Sequence, residues 1–495
     1  HCIVRYLMFS KLSDHDFKKG VFRTKFSQIV TPLDKESDWI HSKGPEYLWI
    51  GLALQYGSRT EQMERMMLAL TNLSKELDLE KILPLPAMSL ILSLDIEEKK
   101  IFVESLNSAF DLSIFSPLSI VLPDGEEVLS KNFYNRSHSF DQRLDVLVKV
   151  LDEISDQYSQ LSTDVRYFLL YYKMLQGKIK FVESQSHMVD GLTKYPYLDI
   201  SDPEMKIIRS QIRSMEVALS MSEGMNYLYS KRFWNNISQL TDCEVYSIVM
   251  DRSNAIDLNE IKGTVYSALK YYRDMLQNIE PFNEKLYVLT SILTYSYKRL
   301  LELMNHDLQY TISGRSIVRS CIENYVMTKY LIAEEANHKN IWEEYQYYGI
   351  GGYKLVSERF IENQPELTNP HINFEYLNLL VSEFQNKEFI DMDTRYFGNG
   401  NIRQKFKQVG EDDLYKFYYD YDSQFEHGLW GAIRESSVLK CTSAGHQFHG
   451  IPDIDDVQEL PDISHDMVMI LTKHLSVINE VFPIPSERRD GDRLC

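Results

Sequence analysis

Arg319 and Glu323 stand four positions apart in SGRSIVRSCIENYVMTKYL, residues 313–331, on a helical face otherwise made of Ile317, Val318, Ile322, Tyr325, Val326, Met327 and Tyr330. That spacing brings two side chains together on a helix surface. A charge on an apolar face needs such a partner, because an unpaired buried ion costs several kcal/mol. Two chemistries fit. The pair can be a buried ion pair that fixes the register of neighbouring helices, or the glutamate can orient the arginine so that its planar fork meets a phosphate. Further along, YDSQFEHGLW sets His427 on one helical stripe with Tyr419 and Ser423, and Gly428 and Gly431 follow, where a substrate or another helix could approach closely. Histidine suits proton transfer near neutral pH, although a lone histidine on an apolar face is more often a hydrogen-bonded core residue. Tyr415, Tyr418, Tyr421 and Trp430 would wall such a site, and as a stripe they read as core before they read as a base-stacking platform. Arg403, Lys405 and Lys407 precede the histidine in NIRQKFKQ and could line an anionic groove.

Other chemistry-bearing stretches are weaker. The loop CTSAGHQFHGIPDIDD offers Cys441, His446, His449, Asp453, Asp455 and Asp456, but a CxxxxHxxH spacing matches no common zinc pattern. It is expected to be a solvated acidic loop without a metal, and no cofactor is expected elsewhere. No GxxxxGK[ST], HExxH or GxSxG occurs, and GIGGY lies between helical segments rather than after a strand, so it lacks the context of a phosphate loop. RSQIRS, SKRFW and SYKRL read as solvated helix faces.

The elements that must position these residues are helical. A chain of 495 residues exceeds one ordinary core and predicts two domains. Its 44% hydrophobic and 25% charged residues make it globular, and 21 Gly with 15 Pro are too few for a turn-rich sheet protein. The expected architecture is all-α: an N-terminal helical domain over 1–245, a C-terminal helical domain over 255–482, and a flexible tail at 483–495. Within it, PDGE near 123–126 signals a turn that could join two short strands, Ser201 and Glu204 form a capping-box pattern with Gly224 near that helix's stop, and Gly349, Gly351 and Gly352 should bend or break a helix. The net charge of −19 excludes indiscriminate coating of nucleic acid. A local basic cleft remains open to one short RNA segment, since screening limits the far field to about 8 Å at physiological salt. The five cysteines Cys2, Cys243, Cys321, Cys441 and Cys495 are scattered and form no CxxC pair, as expected of reduced thiols. With no signal peptide and no apolar run of the ~18 residues a membrane span needs, the expected location is the cytoplasm, away from membranes.

The two opening stretches together carry a resemblance. RSxxE on one helix, a tyrosine before YL, a WEEYQYYG helix and then YDYDSQFEHG resemble an uncharacterised bacterial family of helical domains, itself similar to the HEPN (higher eukaryotes and prokaryotes nucleotide-binding) class, over roughly residues 285–440. The resemblance implies association with anti-phage defence and a metal-independent endoribonuclease. In that role Arg319 would steady the phosphate, Glu323 would orient Arg319, and His427 would move the proton, with Ser423, Tyr419, Arg403 and Lys405 touching substrate. It also implies RNA at a local cleft, another defence-system protein as partner, and a homo- or hetero-oligomer. The class usually carries its arginine and histidine on one helix as an RxxxxH-like motif, and no arginine here has a histidine five positions later. A non-catalytic sensor or scaffold subunit of a defence complex is the alternative reading, and a nucleotide-binding module of the same fold is a third.

Overall fold

Helices in this chain start where side-chain oxygens can take up the first free amides. Asp95 with Glu98, Ser139 with Gln142 and Asn401 with Gln404 form reciprocal capping boxes at the starts of Ile96–Asn107, Phe140–Ser155 and Ile402–Gln408. The computed structural model describes residues 15–23, 38–179, 186–220, 228–246, 256–278, 281–368, 370–383, 390–393, 395, 397–398 and 400–485. They are predominantly helical, as the periodicity predicts, and their strands are short. β1 (Asp16–Lys18) and β2 (Val21–Arg23) form a hairpin, and β3 (Val245–Tyr246), β4 (Val438–Cys441) and β5 (Gly450–Pro452) form a small sheet in that order.

The chain divides into two compact units, one taking residues up to Tyr246 together with Lys440–Ile451, the other Ser247–Leu439 and Pro452 onward. In the first unit, Gly44–Leu54 is apolar except for Glu46 and buried from Gly44 to Ala53, which marks it as a core helix rather than a surface one. It packs on Arg59–Glu76, Phe140–Ser155 and Gln160–Leu175. Gly51 permits the closest approach, since a Cβ there would lie 2.4 Å from Ile154 Cδ1. One buried charge cluster in this core is paired: Lys43 Nζ meets Glu216 Oε1 at 2.7 Å, and Arg166, lying over the Trp39 ring at 3.9 Å, flanks the other Glu216 oxygen at 3.4 Å.

In the second unit, Ile312–Glu334 is the helix around which the others assemble, packing on Glu284–Asn305, on Ser464–Val481 and on Asp420–Glu426. Leu289, Leu293, Val318, Ile322, Val326, Met467 and Leu471 form the seam. Asn259–Asn278 packs on both Glu284–Asn305 and Ser464–Val481.

Three local expectations change. The 114–130 region contains no strands: Leu112–Ile120 is a 3-10 helix, and the turn at Gly125 leads into Glu127–Phe133 because the Glu126 carboxylate accepts from the amides of Val128 and Leu129. Pro203–Ser220 is preceded not by a Ser201 cap but by Asp202, which accepts from Glu204 N at 2.8 Å, while Ser201 bonds back to Asp199. Ile341–Asn363 runs unbroken through its three glycines. Gly351 serves an approach instead of a bend, since a Cβ there would stand 2.3 Å from the Asp391 carbonyl oxygen. Gly224, residues 247–255 of the expected boundary and residues 486–495 of the tail lie outside the described residues.

Candidate functional site

Thr311 opens the Ile312–Glu334 helix, its hydroxyl accepting from Gly314 N at 3.1 Å. Two arginines then point off successive turns and meet different fates. Arg315 is 1% exposed, and its guanidinium donates to the backbone carbonyls of Gln309, Thr311 and Pro461. Its work is to tie chain segments together, and the sequence reading passed it over because its partners are carbonyls, which leave no side-chain pattern. Arg319 instead faces side chains. It donates from Nε to Ser423 Oγ at 3.1 Å and from Nη2 to Tyr419 Oη at 2.7 Å, and it pairs with Glu323 Oε1 at 3.0 Å. Tyr419 closes the ring by donating to Glu323 Oε1 at 2.6 Å, and its own ring lies 4.8 Å from the Arg319 guanidinium carbon. The Arg319 side chain keeps 17% exposure, and among the described residues its Nη1 has no hydrogen-bond partner. A guanidinium held at two nitrogens with its third unengaged is fixed in orientation yet able to accept an anion.

Tyr419 reaches this position through an irregular helix. Asp412–Leu414, a π turn over Tyr415–Tyr419 and Asp420–Glu426 follow one another, and the wider π turn stacks Tyr415 on Tyr419 at 5.5 Å while Phe406 packs against both. Burial, reinforced by the Glu323 carboxylate, pushes the Tyr419 hydroxyl well above its ordinary range, so it stays protonated and donating. Beside it, Asp422 is 5% exposed. Burial raises its carboxyl to about 7, with Asp466 adding to the rise and Arg315 and Arg319 opposing it.

The two helices meet antiparallel: Glu323 contacts Tyr419, Arg319 contacts Ser423, and Ser316 Oγ donates to Glu426 Oε2 at 2.5 Å. His427 follows Glu426 as the C-cap, exposed, four residues or about 6 Å of helix rise beyond Ser423. It therefore stands outside the Arg319 hydrogen-bond ring and in solvent, not on the apolar face expected. Gly428 closes the helix, with φ +55° and its N–H on Phe425 O, while Leu429 N donates to Gln424 O. Neither Gly428 nor Gly431 has a neighbour within 4 Å of a would-be Cβ, so they are not points of close approach. Trp430 is 71% exposed and not core. Arg403 and Lys405 do not share a groove. Arg403 is exposed, its guanidinium carbon 5.7 Å from the Tyr415 ring, whereas Lys405 is fully buried with its ammonium 4.0 Å from the Tyr330 ring, and burial lowers its pKa.

Two further constellations were not read from the sequence. Arg299 and His306 stand seven positions apart at the end of Glu284–Asn305, but Arg299 is engaged by Glu302 and His306 is the exposed C-cap. Among the described residues, Cys243, Cys441, His446 and His449 are the side chains able to hold a metal, their ligating atoms all within 4.8 Å of one another. The loop's cysteine and two histidines had been noted; Cys243 was missed because it lies 206 positions before His449.

A family of unknown function (DUF5677) matches residues 289–446, a stretch that includes Arg319, Glu323, Tyr419, Ser423 and His427. No curated protein and no solved structure matches the chain. Among the described residues, no helix is long and apolar enough to cross a membrane.

Proposed function

We propose that the chain is a HEPN-like, metal-independent endoribonuclease effector of bacterial anti-phage defence, acting in the cytoplasm as an oligomer, with Arg319 on the scissile phosphate and His427 as the proton carrier. The observation that carries this reading is the Arg319 guanidinium, clamped by Ser423, Tyr419 and Glu323 and leaving Nη1 unengaged at a partly exposed position. In the proposed step His427 takes the proton of an RNA 2′-hydroxyl and the 2′-oxygen forms a bond to phosphorus. The bond from phosphorus to the 5′-oxygen breaks, and that oxygen receives the proton that His427 took, passed on through water, leaving a 2′,3′-cyclic phosphate, a 5′-hydroxyl and a neutral imidazole. Arg319 stabilises the charge gathered on the phosphoryl oxygens. Trp430, exposed three residues after His427, supplies a face on which a base can stack. With a net charge of −19, only a short RNA segment at this patch fits the electrostatics.

A specific observation also favours the non-catalytic sensor or scaffold reading: Arg319 is bonded to Ser423 and Tyr419 on the facing helix and to Glu323 on its own, which suffices to lock two helices. One experiment separates the two. Short single-stranded RNAs are incubated with the wild type and with Arg319→Lys, Arg319→Ala and His427→Ala in buffer free of added divalent cations, and the RNA ends are read by mass spectrometry. Arg299→Ala and His306→Ala serve as controls on the other arginine–histidine pair. Ribonuclease action predicts cyclic-phosphate ends and a loss of about 10²- to 10⁴-fold in His427→Ala without a fall in melting temperature. Cleavage that survives His427→Ala, or that depends strictly on added magnesium or manganese, refutes the mechanism. No cleavage by the wild type, with Arg319→Ala acting through stability alone, selects the scaffold.

A further inference from the structure

We infer that Cys243, Cys441, His446 and His449 form a structural zinc(II) site within the first unit. All four lie in that unit, Cys243 just before β3 and the other three in the segment Lys440–Ile451 that returns to it. Two thiols and two imidazoles suit a tetrahedral S2N2 site, the set that structural zinc prefers over magnesium or calcium. With bonds of about 2.3 Å to sulfur and 2.0–2.1 Å to nitrogen, the edges of such a tetrahedron measure roughly 3.3–3.8 Å. The four ligating atoms already fall within 4.8 Å of one another, and Cys243 Sγ stands 3.3 Å from His449 Nε2.

The backbone around the cluster is organised to present these atoms. Val245 pairs with Cys441 and Thr442 N donates to Glu244 O at 2.8 Å, which fixes the two cysteine-bearing strands side by side. Cys441 N donates to His449 O at 2.8 Å, so the intervening residues fold back on the first thiol. That reversal uses a 3-10 turn at Ala444–His446 followed by Gln447 at φ +58° and Phe448 at φ +51°, two consecutive left-handed residues that are not glycine. Side chains hold that conformation only where the surroundings demand it, and such positions cluster at functional sites.

A second, independent observation concerns tautomer. His446 Nε2 lies 2.6 Å from the Thr241 carbonyl oxygen, to which it can only donate, so Nδ1 is its lone-pair nitrogen. Metal-bound histidines are oriented in this way, with the non-ligating N–H on a carbonyl or carboxylate. Gly445 lets Thr241 come that close, since a Cβ there would lie 2.4 Å from Thr241 Oγ1.

The test uses the full chain, purified under reducing conditions without added metal, and measures zinc by elemental mass spectrometry. The expected content is one zinc per chain in the wild type and a loss of most of it in Cys243→Ser and in His449→Asn. Cobalt(II), titrated into chelator-stripped protein, should give the visible bands of tetrahedral cobalt with a thiolate charge-transfer band, absent in Cys243→Ser. Zinc should also raise the melting temperature of the stripped wild type while leaving stripped Cys243→Ser unmoved, so poor folding of a variant cannot imitate the result. No zinc or cobalt binding by the reduced wild type overturns the inference. So does metal retained in both variants, or a Cys243–Cys441 disulfide in place of bound metal.

Discussion

Replacing Glu323 by Gln tests whether Arg319 depends on its neighbour. The amide keeps an oxygen that can accept from Tyr419 and keeps the shape, so what is lost is the charge 3.0 Å from the Arg319 guanidinium. A bare pair at that distance attracts by about 4–6 kcal/mol at an effective dielectric near 20, but the two side chains are 17% and 29% exposed and already partly hydrated. Fully buried pairs lose about 3–5 kcal/mol when broken, and exposed ones about 0–1. This site lies between, with Ser423 and Tyr419 still holding Arg319, which sets the expectation at about 1–2 kcal/mol. For a unit of this size that lowers its unfolding transition by roughly 2–8 °C. Calorimetry on Glu323→Gln, on Arg319→Met and on the double variant gives the coupling directly. Glu302→Gln, which breaks a more exposed pair with Arg299, is the control and should cost under about 1 kcal/mol. A coupling below about 0.5 kcal/mol would mean that Arg319 is held by Ser423 and Tyr419 alone, and the account of a glutamate-oriented arginine would fail.

The glycines of Ile341–Asn363 make a sharper pair. Gly352→Ala meets nothing within 4 Å and should stabilise by up to about 1 kcal/mol through helix propensity, whereas Gly351→Ala drives a methyl against the Asp391 carbonyl and should destabilise, both read by denaturant titration. Two buried groups should act on stability with opposite pH signs. Asp422 has its carboxyl raised by burial to about 7, so the folded chain binds the extra proton and stability falls as pH rises from about 4 to 7, by roughly 2–4 kcal/mol. Asp422→Asn should reduce that slope, leaving the part due to Asp466 and Glu46, whose carboxyls burial also raises. His474, fully buried with Nε2 2.9 Å from Thr328 Oγ1, has its pKa lowered by burial to about 3, so the unfolded chain binds the proton and stability is lost as pH falls from about 6.5 towards 3. His474→Gln should flatten the acid limb, and a steeper limb would refute the assignment.

Element type was legible wherever caps and apolar spacing agreed, as in Phe140–Ser155 and Ile312–Glu334. It failed where one residue supports two outcomes. A Pro-Asp-Gly-Glu run turns the chain in either architecture, and only the Glu126 side chain reaching forward makes it a helix start. A glycine in a helix signals a bend from sequence alone, while the approach of Asp391 to Gly351 is invisible until the fold exists. The Arg319–Glu323 pair and the meeting of the two helices were legible, since 319 and 323, like 419 and 423, are helix neighbours, but Ser423 and Tyr419, expected to touch substrate, hydrogen-bond Arg319 instead. His427 shares the stripe of Tyr419 and Ser423, but periodicity does not reveal that the helix ends there and leaves its last residue in solvent. Lys405 looked like groove lining because the charge was counted and the neighbouring Phe406 and Tyr330 were not.

The return of Lys440–Ile451 to the first unit has a consequence on the ribosome. Cys243 emerges 206 positions ahead of His449, and at about 5–20 residues per second that separation is roughly 10–40 s of synthesis. Throughout that interval the nascent first unit lacks β4, so Val245–Tyr246 has no strand to pair with and presents the kind of open edge on which other chains can assemble. The helices of the intervening segment wait longer still, because Ser464–Val481 completes their seam, so neither unit has its full set of elements until synthesis of the chain is nearly over.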